Sequence, residues 1–187
     1  MKLLFRYRAY GRENVPREGG FVLASGHSSN FDPWALGYGI FPRRFLRFMT
    51  KSELFWPLLS QFITAAGGFK VRRGERDEEA MRTAEQLARD GHVIAVFPEG
   101  TRRSKGLRKK RQPEAHTGAA RIALAADVPL VPAGLKGTDR LSRLGPLRVA
   151  YGEAVPTDDL RDLDLQEAAR VATDRLMDRI RVLEESL

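Results

Sequence analysis

The chain of 187 residues carries a formal net charge of +8 at pH 7, with an isoelectric point near 10.2. That length suffices to bury the core of one domain, and that charge points to a polyanionic partner: nucleic acid, an anionic membrane surface or a phosphorylated substrate. Cysteine is absent, which excludes disulfides, thiolate metal sites and a cysteine nucleophile and fits a reducing compartment.

The first residues, MKLLFRYRAYGREN, hold an apolar patch too short for a signal-peptide core. The run Phe21-Val22-Leu23-Ala24, bounded by Gly20 and Gly26, predicts a buried strand. Pro33 then opens a helix, because proline suits its first turn. A second strand is expected at Phe45 to Met49, followed by an apolar helix from Glu53 to Ala66 that stops at Gly67-Gly68. After a short strand, FKVRR, the segment Glu75 to Asp90 predicts an amphipathic helix, acidic at its start and closed by Gly91. Val93 to Phe97 is the clearest buried strand. A basic loop follows it, then a helix from Ala119 to Ala126 and strands at 130–135 and 147–151. From Leu165 onward, apolar residues at 165, 169, 172, 176, 180, 183 and 187 mark one face of a helix. No run approaches the roughly 20 apolar residues of a spanning helix, so the chain is expected to be soluble or to lie on a membrane. The alternation predicts an α/β fold: a single domain over residues 1–187, with a central mixed or largely parallel sheet flanked by helices.

Three stretches carry chemistry. The first is Gly26-His27-Ser28-Ser29-Asn30-Phe31-Asp32-Pro33, directly after the first buried strand. Residues five apart lie about 500° round a continuous helix, so His27 and Asp32 meet only if a turn separates them. Pro33 supplies one by pushing Asp32 out of the helical region, which also makes Asp32 a candidate N-cap. His27 would then sit at the carboxyl end of a strand, where open α/β sheets place their sites. An aspartate on one ring nitrogen fixes the tautomer and leaves the other nitrogen free to take a proton from a hydroxyl. The competing reading is a helix cap beside an incidental histidine.

The second stretch, Phe97-Pro98-Glu99-Gly100-Thr101-Arg102, follows the next buried strand and is expected on the same sheet edge. Gly100 permits close backbone approach, Thr101 offers a hydroxyl, and Arg102 can clamp a phosphate with paired hydrogen bonds. Glu99 could orient Arg102 or hold a substrate hydroxyl; a solvated turn with an ordinary ion pair is the bland alternative. The third stretch is Gly68-Phe69-Lys70-Val71-Arg72-Arg73-Gly74, from which one arginine could reach the same pocket; a solvated strand end is the competing reading.

In this order the stretches resemble the glycerolipid acyltransferases, and among them the lysophosphatidate acyltransferases. The histidine–four residues–aspartate block is His27 to Asp32. The arginine-ended block is Phe69 to Arg73, the third is Phe97 to Arg102, and Leu130-Val131-Pro132-Ala133 resembles the fourth. Gly11 to Pro16 is similar to the family's opening strand and turn. The resemblance implies an αβ domain with its site at the sheet rim, and transfer of a fatty acyl group from an acyl-CoA or acyl-ACP thioester to a glycerolipid hydroxyl. By that analogy His27 is the general base, Asp32 orients it, and no acyl-enzyme forms. Arg73, Glu99, Gly100, Thr101 and Arg102 would hold the acceptor's phosphate and glycerol. No metal and no bound cofactor is implied. Three departures stand out: Gly26 where the family often has asparagine, Arg103 where serine is common, and little chain ahead of the first strand, where many relatives carry an apolar docking helix.

Lysophosphatidate is the expected acceptor, with glycerol 3-phosphate, another lysophospholipid or a non-glycerol alcohol as alternatives. The expected location is cytoplasmic, peripheral on the inner face of the cell membrane. Two features are candidates for contact with an anionic bilayer: the basic run Arg102 to Arg111, and the segment Leu54 to Leu59 with Phe62. A nucleic-acid partner is not expected, because no aromatic-basic strand face and no reading helix accompany the charge.

Overall fold

The computed structural model describes residues 5–51, 57–65, 67–71, 78–100, 104–105, 108–109 and 115–187. The strands are β1 (Arg8–Tyr10), β2 (Phe21–Ser25), β3 (Leu46–Lys51), β4 (Gly68–Val71), β5 (Val93–Val96), β6 (Ser104–Lys105), β7 (Arg108–Lys109), β8 (Leu130–Lys136) and β9 (Arg148–Tyr151). The helices are α1 (Asp32–Ile40), α2 (Pro57–Ala65), α3 (Glu78–Arg89), α4 (Gly118–Ala126) and α5 (Leu165–Glu185). Seven strands form one sheet in the order β1-β9-β8-β2-β5-β3-β4, and β6 with β7 makes a separate small hairpin. β8, β2, β5, β3 and β4 run parallel; β9 is antiparallel to β8, and β1 is parallel to β9. The expected mixed, largely parallel α/β sheet is therefore the one observed. Among the described residues, no helix is long and apolar enough to cross a membrane.

β2 shows why the apolar run reads as a central strand. All five of its residues are buried, which requires cover on both faces of the sheet. Val22 and Ala24 pack into the core formed with α3, α4 and α5, whereas Phe21 and Leu23 pack into the opposite core with Ala35, Leu36 and Ile40 of α1. Its register is fixed on both sides, Leu23 lying opposite Ala95 of β5 and Val131 of β8. The three-helix face is built from small residues: Ala84 and Ala88 of α3, four alanines of α4, and Ala168, Ala169 and Ala172 of α5. Alanine contributes little burial per residue but lets helix axes approach closely. Leu176 and Ile180, both fully buried, supply the larger share, each worth about 1.5–3 kcal/mol relative to exposure.

The predicted periodicity of the last helix is correct at its centre. Ala169, Ala172, Leu176 and Ile180 are buried, while Leu165 is exposed because it lies in the first turn. The sequence reading did not mark the cap: Asp164 accepts hydrogen bonds from the backbone N–H groups of Gln166 (2.9 Å) and Glu167 (3.1 Å). Where they fall on described residues, strand and helix ends otherwise shift by one or two residues from the expected ones. The expected helix from Glu53 is described only from Pro57.

α1 is held to the sheet by two buried tyrosines from distant parts of the chain. Tyr7 donates to the carbonyl of Ala35 (2.8 Å), and Tyr151 donates to that of Leu36 (2.6 Å). Gly39 makes this approach possible, since a Cβ there would stand 2.1 Å from the Tyr151 hydroxyl and 2.6 Å from that of Tyr7. Burial pushes both phenols above their ordinary range, and each also stands in the other's neighbourhood. The sign of the consequence follows from the proton count. Unfolded phenols ionise near 10 whereas the folded pair keeps its protons, so the stabilisation is complete below pH 10 and declines as pH rises beyond it. Thermal melts monitored by circular dichroism should lose stability steeply above that pH, and Tyr7→Phe, less stable at neutral pH, should show a shallower alkaline decline.

Candidate active site

β2 delivers Gly26 and His27 to the carboxyl edge of the sheet, and the chain turns there before entering α1. Asp32 is the first residue of that helix and is fully buried. Its Oδ2 lies 2.8 Å from His27 Nδ1, 2.7 Å from the backbone N of Ser28 and 2.9 Å from that of Ser29. The two backbone groups are obligate donors, so Oδ2 acts as an acceptor. His27 Nδ1 therefore carries the proton, and in the neutral ring Nε2 keeps its lone pair. The imidazole reaches the surface through only 14% of its side chain.

The expectation that Asp32 is a helix N-cap is corrected. The cap position belongs to Phe31, with no side-chain capping bond, and Asp32 turns back to the preceding loop instead of forward to the helix N–H groups. The physical reason is competition for one oxygen. Ser28, Ser29 and His27 already bring three N–H donors to Oδ2, and Asp32 N bonds to the Ser29 carbonyl at 3.2 Å, which closes a tight turn. Ser29 completes the turn by accepting from Phe31 N through its hydroxyl (3.3 Å).

The second stretch meets the first at the expected edge. β2 and β5 are adjacent and parallel, with Ala24 opposite Val96. Their loops consequently emerge side by side, and the His27 ring stacks on Phe97 at 4.3 Å between centroids and 22° between planes. Beyond Phe97 the chain turns at once, Gly100 N donating to the Phe97 carbonyl at 2.9 Å. Glu99 is 2% exposed, so a carboxylate is buried within one turn of the histidine's stacking partner. Gly100 has a φ of 63°, and a Cβ there would come within 2.9 Å of the His116 ring.

His116 was not singled out by the sequence reading, yet it lines this second loop. Its backbone N–H donates to the Pro98 carbonyl at 2.7 Å, and its ring stands against the space a Cβ at Gly100 would fill. The signal that could have found it is topological. A helix that connects two parallel strands starts at the edge where the first strand ends. His116 comes two residues before α4, which connects β5 to β8.

Thr101, Arg102 and Arg73 lie outside the described residues, as does most of the basic run to Arg111. β4 is parallel to β3, so its end at Val71 is on the same edge of the sheet as His27. The segment Leu130 to Ala133 lies inside β8 and is buried, with Pro132 paired across from Ala24. It supports the strand that carries His27.

The arrangement can bind a hydroxyl at a neutral imidazole nitrogen, take its proton and offset the resulting charge with an aspartate on the far side of the ring. Asp32→Asn preserves a carbonyl oxygen for the three N–H donors but removes the charge. The folded structure is expected to survive with turnover reduced about 10²–10⁴-fold, read by comparing circular dichroism melts with initial rates. Gly100→Ala is expected to impair the site further, because it combines a left-handed φ with a clash against His116; the readout is again rate against melt.

The Acyltransferase family model matches residues 6–136 of the chain. The chain is similar to the 1-acyl-sn-glycerol-3-phosphate acyltransferase of Bacillus subtilis (strain 168), with 33% identity over 186 residues, covering 96% of this chain and 89% of that protein. It is also similar to the enzyme of the same name from Limnanthes alba, 30% identical over 122 residues and covering 59% and 42% of the two chains. Among solved structures it is similar to the 1-acyl-sn-glycerophosphate (LPA) acyltransferase PlsC from Thermotoga maritima. The TM-score is 0.68 at 25% identity, covering 96% of this chain and 71% of that one.

Proposed function

The chain belongs to the Acyltransferase family, and from that premise we propose that it transfers a fatty acyl group from an acyl thioester to the free hydroxyl of lysophosphatidate. The observation that carries the reading is the contact of His27 Nδ1 with Asp32 Oδ2 at 2.8 Å: because that oxygen already accepts from two backbone N–H groups, Nδ1 is assigned as the donor and Nε2 as the basic atom at the sheet edge. The relatives of the 1-acyl-sn-glycerol-3-phosphate type support the acceptor.

In this mechanism the acceptor hydroxyl hydrogen-bonds to Nε2. As its oxygen attacks the thioester carbonyl carbon, the proton passes to Nε2, and the imidazolium so formed faces the Asp32 carboxylate. Collapse of the tetrahedral intermediate breaks the C–S bond, and the proton on His27 goes to the departing thiolate. The products are the acylated acceptor and a free thiol; no acyl-enzyme and no bound cofactor take part. Glu99, Gly100, Thr101, Arg102 and Arg73 form the acceptor-binding set, the arginines taking the phosphate. The donor is acyl-CoA or acyl-ACP, and either suits a basic protein, since one bears phosphates and the other is an acidic carrier. The reaction runs with the protein peripheral on the inner face of the cell membrane, where a lysophospholipid acceptor resides.

Thiol release tests this directly, and the absence of cysteine leaves no protein thiol to react with the reagent. Acyl-CoA and acyl-ACP are each offered with and without lysophosphatidate. Acceptor-dependent release is expected, falling at least about 10²-fold in His27→Ala as expected when a general base is removed. Release that survives in His27→Ala, or no release with either donor, overturns the assignment.

A further inference from the structure

α1 is apolar on both sides although only one side is buried. Ala35, Leu36, Gly39 and Ile40 face the sheet, and the helix carries a single charged residue, the buried Asp32. On its outer side Phe31, Trp34, Tyr38 and Phe41 follow one another at spacings of three, four and three, which keeps them within one arc of the helix. They are 57%, 57%, 37% and 58% exposed, and Phe45 adds another exposed ring just beyond. A surface helix of a water-soluble fold ordinarily presents charged residues on its outer face. Here that face is aromatic from end to end.

At the carboxyl end of the helix, Arg12, Arg17, Arg43 and Arg44 surround a depression of about 20 Å³ with Val15, Pro16 and Ile40. Among the described residues none of these four arginines makes an ion pair. Arg44 is instead spent on the carbonyls of Gly19 and Gly91. The aromatic stripe thus runs from the His27 loop at one end of α1 to a cluster of unneutralised arginines at the other.

From this we propose that the outer face of α1 is the surface by which the protein lies on an anionic lipid bilayer. The inference rests on the lipid-acceptor reading above and gives that reading its docking surface. Tryptophan, tyrosine and phenylalanine settle at the boundary between headgroups and acyl chains, where an amphipathic ring has both an apolar and a wet side. Arginines at the margin of such a face meet anionic headgroups, each contributing on the order of 1 kcal/mol. Charge complementarity selects the bilayer over a second copy of the chain, because every copy carries a net charge of +8 and repels another, whereas an anionic bilayer attracts it. Continuity with the site points the same way. α1 begins at Asp32, so a bilayer along its outer face ends beside His27, at the edge where a lipid hydroxyl must enter.

The chain has two tryptophans, and Trp56→Phe leaves Trp34 as the sole reporter. That protein is mixed with vesicles of phosphatidylcholine and phosphatidylglycerol, and separately with vesicles of phosphatidylcholine alone, neither containing acyl donor or acceptor. The expected results are a blue shift of Trp34 emission on the anionic vesicles and quenching by chain-brominated lipid. Vesicle affinity measured by co-sedimentation should fall at least about tenfold in Trp34→Ser/Phe41→Ser. Arg17→Glu/Arg43→Glu should lose the preference for anionic vesicles. Co-sedimentation with Trp34 emission unchanged would place the contact elsewhere and overturn the proposal. So would failure to sediment with either vesicle, or an emission shift that follows protein concentration instead of lipid. His27→Ala should bind vesicles as the native protein does, so failure of docking and failure of the acyl-transfer reading are separately visible.

Discussion

Everything at the site depends on one oxygen. Asp32 Oδ2 is buried and gathers the N–H groups of His27, Ser28 and Ser29 within 2.9 Å. A carboxylate removed from water needs such partners, because its desolvation is otherwise uncompensated. Two of the three donors are backbone groups of the very loop that carries the histidine. The interaction that makes burial of Asp32 tolerable therefore also shapes the loop, and the loop shape aims the imidazole. Four residues separate histidine from aspartate because that is the length of chain needed to close back on the helix start.

That closure holds only if α1 stays where it is, and its fixity comes from outside the loop. Tyr7 precedes β1 and Tyr151 ends β9, both on the far side of the sheet order from β2. Their hydroxyls take carbonyls in the middle of α1, one turn beyond Asp32. These are bonds to carbonyl oxygens already engaged in the helix, each with a second lone pair to offer. The parallel arrangement of β2 with β5 and β8 then supplies the rest. Parallel neighbours bring their carboxyl ends to one edge, so the loops after β2 and β5 are adjacent by construction, and the stacking of His27 on Phe97 is the point where they touch.

What could be read in the sequence divides along physical lines. Continuous apolar runs such as 21–24 and 93–97 announce strands buried on two faces, and the 3.6-residue period from Leu165 announces a helix, because both signals arise from burial itself. The pairing of His27 with Asp32 was legible for a different reason: Pro33 forces a turn, and a turn is what lets residues five apart meet. The capping role of Asp32 was misread because capping preference describes an isolated helix end, whereas here three competing donors lay upstream. His116 escaped notice because nothing local marks it. Its place at the site follows from sheet topology, which a linear reading reaches only after the strands are ordered. The outer face of α1 was equally hidden, since a segment as apolar as Pro33 to Phe41 reads as core from either side.

The last point bears on why the chain is so basic. If α1 served the fold alone, only its inner residues would need to be apolar, and polar residues outside would cost the sheet nothing. The tyrosine clamps, Gly39 and the Leu36 contact would all be kept. The aromatic outer side must therefore answer to something other than folding stability. Positive charge acts over about a Debye length, roughly 8–10 Å at physiological salt, and raises the rate of encounter with an anionic surface. It holds poorly once salt screens it. Exposed aromatic rings act only at contact, but what they gain by burial is insensitive to salt. A protein that must find a charged surface and then remain there long enough to take up a lipid needs both. On the proposal that this face meets a bilayer, the arginines gathered beyond the carboxyl end of α1 and the four aromatics along it divide that work, beside a helix whose first residue is the hydrogen-bond partner of His27.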